Sequence, residues 1–158
     1  MLSFAAMRKV AVEIVLRQAI EDDITELATL NKRLVVDQGS RNPYTASEYE
    51  NRFRDWLRGD EWNVDIFADF EGVILGYAVY TVQQDYYYPD QEVVYLRQFY
   101  IDRPMRRRGI GTAAYELLAK ERFGDREVAV DVLATNLDGQ KFWAHIGFTP
   151  YFTSMKKR

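Results

Sequence analysis

Apolar and polar positions follow two periods along this chain: alternate residues in some segments, every third or fourth in others. Val10–Leu16 is β-branched and alternating, which predicts a strand. Glu21, Asp22 and Asp23 then put negative charge at a first helical turn, where the helix dipole favours it. Ile24, Leu27, Leu30 and Leu34 give that helix one apolar side. Asp37 to Tyr44 contains Gly39 and Pro43 and reads as a loop. Thr45-Ala46-Ser47-Glu48 has the spacing of a capping box, and Tyr49, Phe53, Trp56 and Leu57 continue at helical spacing into a second helix. Phe53 and Trp56 are expected in the core.

Trp62–Phe70 and Leu75–Gln83 read as two strands joined by a turn at Glu71-Gly72. Tyr86–Asp90 is loop, and Val93–Ile101 is a further strand. Gly109 opens a helix whose apolar side is Ile110, Ala114, Leu117 and Leu118, ending at Phe123-Gly124, where glycine suits the C-terminal cap. Val128–Leu133 reads as a strand, Asp138–Ile146 as a short helix, and Thr149–Met155 as a closing strand. The predicted order, β-α-α-β-β-β-α-β-α-β, is mixed α/β with the sheet covered by helices. A length of 158 residues with no repeat or Pro/Gly-rich linker makes residues 1–158 a single domain.

Composition narrows the chemistry. There is no cysteine, which removes disulfides, zinc-thiolate sites and a cysteine nucleophile. The one histidine, His145, rules against a His-based metal cluster, so no metal is expected; on a short helix it reads as structural. A net charge of −3 argues against a general nucleic-acid binder, and the short basic run Arg106–Arg108 does not reverse that. No apolar run has membrane-spanning length, and Met1–Arg8 lacks the apolar core of a signal peptide. The expectation is a cytoplasmic protein with neither nucleic-acid nor membrane partners; a homodimer is left open.

The most informative stretch runs from Tyr95 to Thr112, where a strand leads into a basic turn, then Gly109-Ile110-Gly111, then a helix. Backbone N–H groups at a helix start have no internal partners, and glycine lets an anion approach them. Arg103, Arg106, Arg107 and Arg108 add charge suited to a polyphosphate. The motif is neither a Walker loop nor a dinucleotide fingerprint, since it lacks Gly-Lys-Ser/Thr and the third glycine. Taken alone it fits a solvated basic turn equally well. Asn136, after the next strand, fits either a helix cap or a ligand contact.

Arg106-x-x-Gly109-x-Gly111 together with Asn136 and Phe142-Trp143-x-x-x-Gly147-Phe148 resembles the GNAT superfamily of acyl-CoA N-acyltransferases. Arg17-x-Ala19 leading to Asp23 and Leu27 is similar to that family's opening strand and first helix. The resemblance covers about Val12 to Met155. It implies a mostly antiparallel, splayed sheet whose strands at Phe99–Ile101 and Val128–Leu133 part to admit the pantetheine arm of acetyl-CoA. It further implies that the backbone of Phe99, Tyr100 and Ile101 pairs with this cosubstrate. The N–H groups of Arg107, Arg108, Gly109, Ile110, Gly111 and Thr112 would hold its pyrophosphate, with Arg106 beside them. Asn136 would lie near the thioester end and Trp143 along the arm.

The implied activity is acetyl transfer to a primary amine of a small molecule or protein, by direct attack and without a covalent enzyme intermediate. A protonated amine cannot attack a thioester, so a base is required; Glu92 and Tyr95 are the candidates. The Phe99 N–H is the chosen donor to the carbonyl oxygen as it gains charge. Many members of the family carry Tyr at the place of Trp143 as the acid for the leaving sulfur, and an indole cannot serve so. The alternative is an acyl-CoA-binding sensor or partner subunit without turnover. The acceptor pocket falls to Gly39–Tyr44 and Tyr86–Asp90; Tyr86-Tyr87-Tyr88 either lines it or covers core, and the first reading is preferred.

Overall fold

The computed structural model describes residues 13–106 and 109–158. The chain forms β1 (Val15–Gln18), α1 (Ile24–Asp37), α2 (Ala46–Arg58), β2 (Asn63–Ala68), β3 (Ile74–Gln84), β4 (Glu92–Ile101), α3 (Ile110–Leu118), β5 (Glu127–Val130) and α4 (Leu137–His145). The sheet runs in chain order, β1-β2-β3-β4-β5; the first three pairings are antiparallel and β4–β5 is parallel. Parallel strands need a crossover, and α3 supplies it. Among the described residues no helix is long and apolar enough to cross a membrane.

Strand alternation builds a core on each face of the sheet. Val64, Ile66, Tyr77, Val79 and Tyr100 face α1 and α2, meeting Leu27, Leu30, Phe53 and Trp56. Phe67, Ala78, Tyr80, Val94 and Leu96 face α3, meeting Ile110, Ala114 and Leu118. The expected core positions Phe53 and Trp56 are buried there. One carboxylate lies in the α3-side layer: Asp65, 1% exposed, accepts from Tyr80 Oη at 2.7 Å and Arg122 Nε at 3.1 Å.

The N-terminal half follows the sequence pattern closely. Asp23 accepts the Ile20 N–H and both Arg17 guanidinium nitrogens, which fixes the entry into α1. Thr45 caps α2 by accepting the Glu48 N–H at 3.2 Å, one half of the expected capping box. Val10 to Val12 of the expected first strand lie outside the described residues.

Two expectations for the C-terminal half need correction. β5 ends at Val130 rather than Leu133, because its last partner is Leu96 and β4 bends away after it. Thr149–Met155 forms no strand. Pro150 has no N–H to give a ladder, and Tyr151, Phe152 and Met155 are exposed rather than packed.

Candidate active site

The bend in β4 is a β-bulge. Val79 faces Gln98 and Tyr80 faces Leu96, so Arg97 is an extra residue without a partner on β3. The bulge sits just past the last β4–β5 pair, Leu96 with Val130. From there to Ile101, β4 keeps β3 on one side and, among the described residues, has no strand on the other: the sheet forks.

The ladder dictates which groups face the fork. Asp102 N–H donates to Leu75 O at 2.8 Å, so the next pairs exchanging bonds are Tyr77 with Tyr100 and Val79 with Gln98. Phe99 lies between them opposite Ala78, and its N–H and C=O therefore point away from β3, toward the side β5 has left. Ile101 does the same, and its carbonyl accepts from Arg106 Nε at 2.8 Å. Tyr100 does not. Its backbone is engaged with β3 and its ring is buried in the α1–α2 core, which corrects its expected place among the cosubstrate contacts.

The bulge also sorts side chains between faces. Phe99 lies on the α3 face with Phe142 at 5.7 Å, Trp143 at 5.5 Å and Tyr115 at 6.3 Å between ring centroids. Tyr95, Arg97 and Gln98 lie on the opposite face: Tyr95 against Trp62, Arg97 over Trp56 and Trp62, and Gln98 accepting from Tyr77 Oη at 2.8 Å.

Beside the fork, α3 begins without a side-chain cap and with no acidic residue in its first turn. Ala113 N–H is the first to find its carbonyl, that of Gly109. Among the described residues, the N–H groups of Ile110, Gly111 and Thr112, at the positive end of the helix, have no backbone acceptor. The two glycines serve different purposes. Gly109 has φ 75°, a left-handed conformation that costs other residues strain, and a Cβ there would meet nothing within 4 Å. A Cβ on Gly111 would come 3.1 Å from the Phe142 ring, so Gly111 permits α4 to approach α3.

This arrangement is that of a known family. The Acetyltransferase (GNAT) family model matches residues 21–148. The chain belongs to the GNAT acetyltransferase family. No curated protein sequence matches it significantly. Among solved structures it is similar to an aminoglycoside N-acetyltransferase in complex with CoA (20% identity, 95% of this chain and 97% of that one, TM-score 0.73). It is also similar to a predicted acetyltransferase with acetyl-CoA from Clostridium acetobutylicum (20%, 92% and 96%, TM-score 0.70). A third is a ribosomal-protein-alanine N-acetyltransferase from Brucella melitensis biovar Abortus (17%, 94% and 99%, TM-score 0.69). At these identities the likeness is one of fold.

Within this GNAT fold the sequence-derived residues separate. Phe99, Ile101, Gly109, Ile110, Gly111, Thr112 and Trp143 gather around the fork and the α3 start. Arg107 and Arg108 lie outside the described residues. Arg103 and Arg106, expected to add charge for a polyphosphate, both turn to Asp37 at the end of α1, and Arg106 lies over the Tyr100 ring at 5.0 Å. Asn136 caps α4, accepting from Gly139 N–H at 2.9 Å through Oδ1. Its Nδ2 makes no hydrogen bond among the described residues.

The two expected bases fare differently. Glu92 stands at the start of β4, seven residues from Phe99, bound to Arg126 at 2.9 Å. The structure does not bring it to the fork. Tyr95 is near, but burial and its hydrogen bond to Asp131 push its pKa up to about 12, so the phenol keeps its proton. Its partner is the residue that sequence reasoning missed: Asp131, one residue past the end of β5, accepts from Tyr95 Oη at 2.7 Å. Expecting the strand to run on to Leu133 hid it. Tyr86, Tyr87 and Tyr88 form an exposed hairpin tip between β3 and β4, remote from the fork, where Asp85 accepts two of their N–H groups. Their exposure rules out the alternative that they cover core. In the Gly39–Tyr44 loop, Tyr44 packs on Tyr49 and Arg52, and just before the loop Gln38 O accepts from Thr135, beyond β5.

Proposed function

We propose that this chain transfers an acetyl group from acetyl-CoA to a primary amine by direct attack, without a covalent enzyme intermediate. The observation that carries this reading is the Phe99 backbone, whose N–H and C=O face the open side of β4 beside an uncapped helix start. An extended amide-bearing chain can add to that edge as a strand does. The N–H groups of Ile110, Gly111 and Thr112, at the start of α3, suit a pyrophosphate. The residues therefore fit acetyl-CoA, which when bound supplies the activated acyl group.

The chain's own groups then divide the work. Phe99 N–H donates to the acyl oxygen as charge builds there. Asp131 takes the amine's proton, directly or through Tyr95 Oη, whose own proton passes on to the carboxylate. Tyr115 holds the proton for the leaving side: burial raises its pKa, and its ring lies 5.9 Å from Trp143, which has no acidic proton to give. Phe142, Trp143 and Phe148 exclude water around it. The test is release of CoA from acetyl-CoA in the presence of a panel of amines, with the acetylated amine identified by mass. Stoichiometric amide formation is expected; CoA release without an acetylated amine refutes the reading.

A further inference from the structure

On the face of β4 opposite Phe99, two arginines meet without an acid between them. Arg52 of α2 lies 4.7 Å from the centroid of the Trp56 ring and Arg97 lies 5.2 Å from it. Arg97 also covers Trp62 at 5.1 Å, and Arg52 covers Tyr44 at 5.1 Å and Tyr49 at 5.8 Å. Of the twelve described arginines seven carry carboxylate partners among the described residues, and Arg52 and Arg97 are among the five that do not. Arg52 is half-buried; among the described residues its one hydrogen bond goes to Asn31 Oδ1 at 2.6 Å, and its Nε and the Asn31 Nδ2 are buried with no acceptor. Buried donors without acceptors are costly, and two like charges in an aromatic enclosure add to that cost. Asp131, at the end of β5 beside this face, accepts from Tyr95 Oη rather than from either arginine.

The position is as telling as the charge. Arg97 is the bulge residue that opens the fork, two residues from Phe99 and on the other face, about 6–7 Å along the strand. The Gly39–Tyr44 loop rims the cluster through Tyr44. An acceptor entering from this face meets Arg52 and Arg97 while its amine reaches the Phe99 edge and Asp131.

We propose that Arg52 and Arg97 bind a carboxylate of the acceptor, so that the substrate is a small amine that also carries an acidic group. Guanidinium forks match the planar carboxylate and supply the missing counter-charge, and the flanking tryptophans and tyrosines cover the substrate's carbon frame. Burial and the neighbouring Arg97 hold the Arg52 pKa below its ordinary value, the direction a bound anion would reverse. This assignment rests on the acetyl-transfer reading and names its acceptor class.

The experiment compares matched amines that differ only in the acid: lysine with cadaverine, phenylalanine with phenethylamine, and each amino acid with its methyl ester. The expected result is a kcat/KM at least tenfold higher for the acid in one or more pairs, carried by KM. Arg97→Gln and Arg52→Gln should each raise the acid's KM about tenfold or more and shrink the preference toward one. Arg97 is exposed, so its variant folds even if the Arg52 variant does not, and acetyl-CoA affinity measured by calorimetry reports the fold of both. Equal kcat/KM within every pair, or a preference that survives Arg97→Gln, overturns the carboxylate assignment alone. Absence of turnover with every amine overturns the acetyl-transfer reading and this assignment with it.

Discussion

Phe99 and Phe142 stack with their ring centroids 5.7 Å apart and their planes 13° from parallel, tying α4 to β4 across the gap that β5 leaves. The contact exists because Gly111 offers no Cβ to the other side of the Phe142 ring region. Gly111→Val should therefore weaken acetyl-CoA binding and lower the melting temperature together. Gly109→Ala should act differently: its Cβ has open space, so the cost is left-handed strain of about 1–2 kcal/mol with α4 undisturbed. Calorimetric titration and thermal unfolding of both variants check this, and equal behaviour of the two would show that the glycines share one role.

The leaving side of the reaction is assigned to Tyr115. Its hydroxyl makes no hydrogen bond among the described residues, so Tyr115→Phe should leave the melting temperature nearly unchanged. It should lower kcat by about a hundredfold, the low end for a general acid, with KM for acetyl-CoA retained. Trp143→Phe should keep most of kcat and lose stability instead, because Trp143 packs on Phe99, Tyr115, Phe142 and Phe148. A larger kcat loss in Trp143→Phe than in Tyr115→Phe reverses the assignment.

Asp131 is tested by pH. Asp131→Asn should reduce kcat/KM by about a hundredfold near neutrality and recover as pH rises toward the amine's own pKa, where free amine no longer needs a base. Tyr95→Phe should cost less, since a phenol with its pKa at about 12 only relays the proton. A flat ratio of variant to parent across pH 6–9, approximately the range in which bases of this kind report, counts against Asp131.

Two stability predictions come from the arginines. Burial raises the Asp37 pKa, but the bonds from Arg103 and Arg106 outweigh it, and the net value lies below the ordinary 3.8. A carboxylate depressed in the folded state stabilises above its unfolded pKa and loses that stabilisation as pH falls through the folded value. Asp37→Asn should thus melt lower than the parent at pH 7, and the gap should close as pH drops below 3.8.

Arg122 guards a buried charge rather than an exposed one. With Asp65 1% exposed, Arg122→Met leaves an unpaired carboxylate in the core and should cost about 3 kcal/mol in denaturant unfolding. Adding Asp65→Asn to that variant should recover part of the loss, because Tyr80 Oη still donates to the amide oxygen.

Local pattern alone determined most of the elements: the 3.6-residue stripes of α1 and α2, the alternation of β2 to β4, the Thr45 cap and the glycine-led start of α3 are each set by residues near in sequence. The motif around Gly109 and Gly111 marked the start of α3 for the same reason, since a helix start needs only its own backbone. Three things needed the tertiary structure. The bulge at Arg97 has no sequence signature, being a register mismatch between β3 and β4, yet it ends β5, exposes Asp131 and turns Phe99 to the fork. The partner of Arg103 and Arg106 lies 66 and 69 positions away on α1, so two arginines that read as free charge are spent on Asp37. Arg52 and Arg97 come together only when α2 packs on the face of the sheet that Arg97 occupies. Spacing along the chain can place a charge on a helix or a strand, but whether an opposite charge waits there is decided by which elements pack face to face.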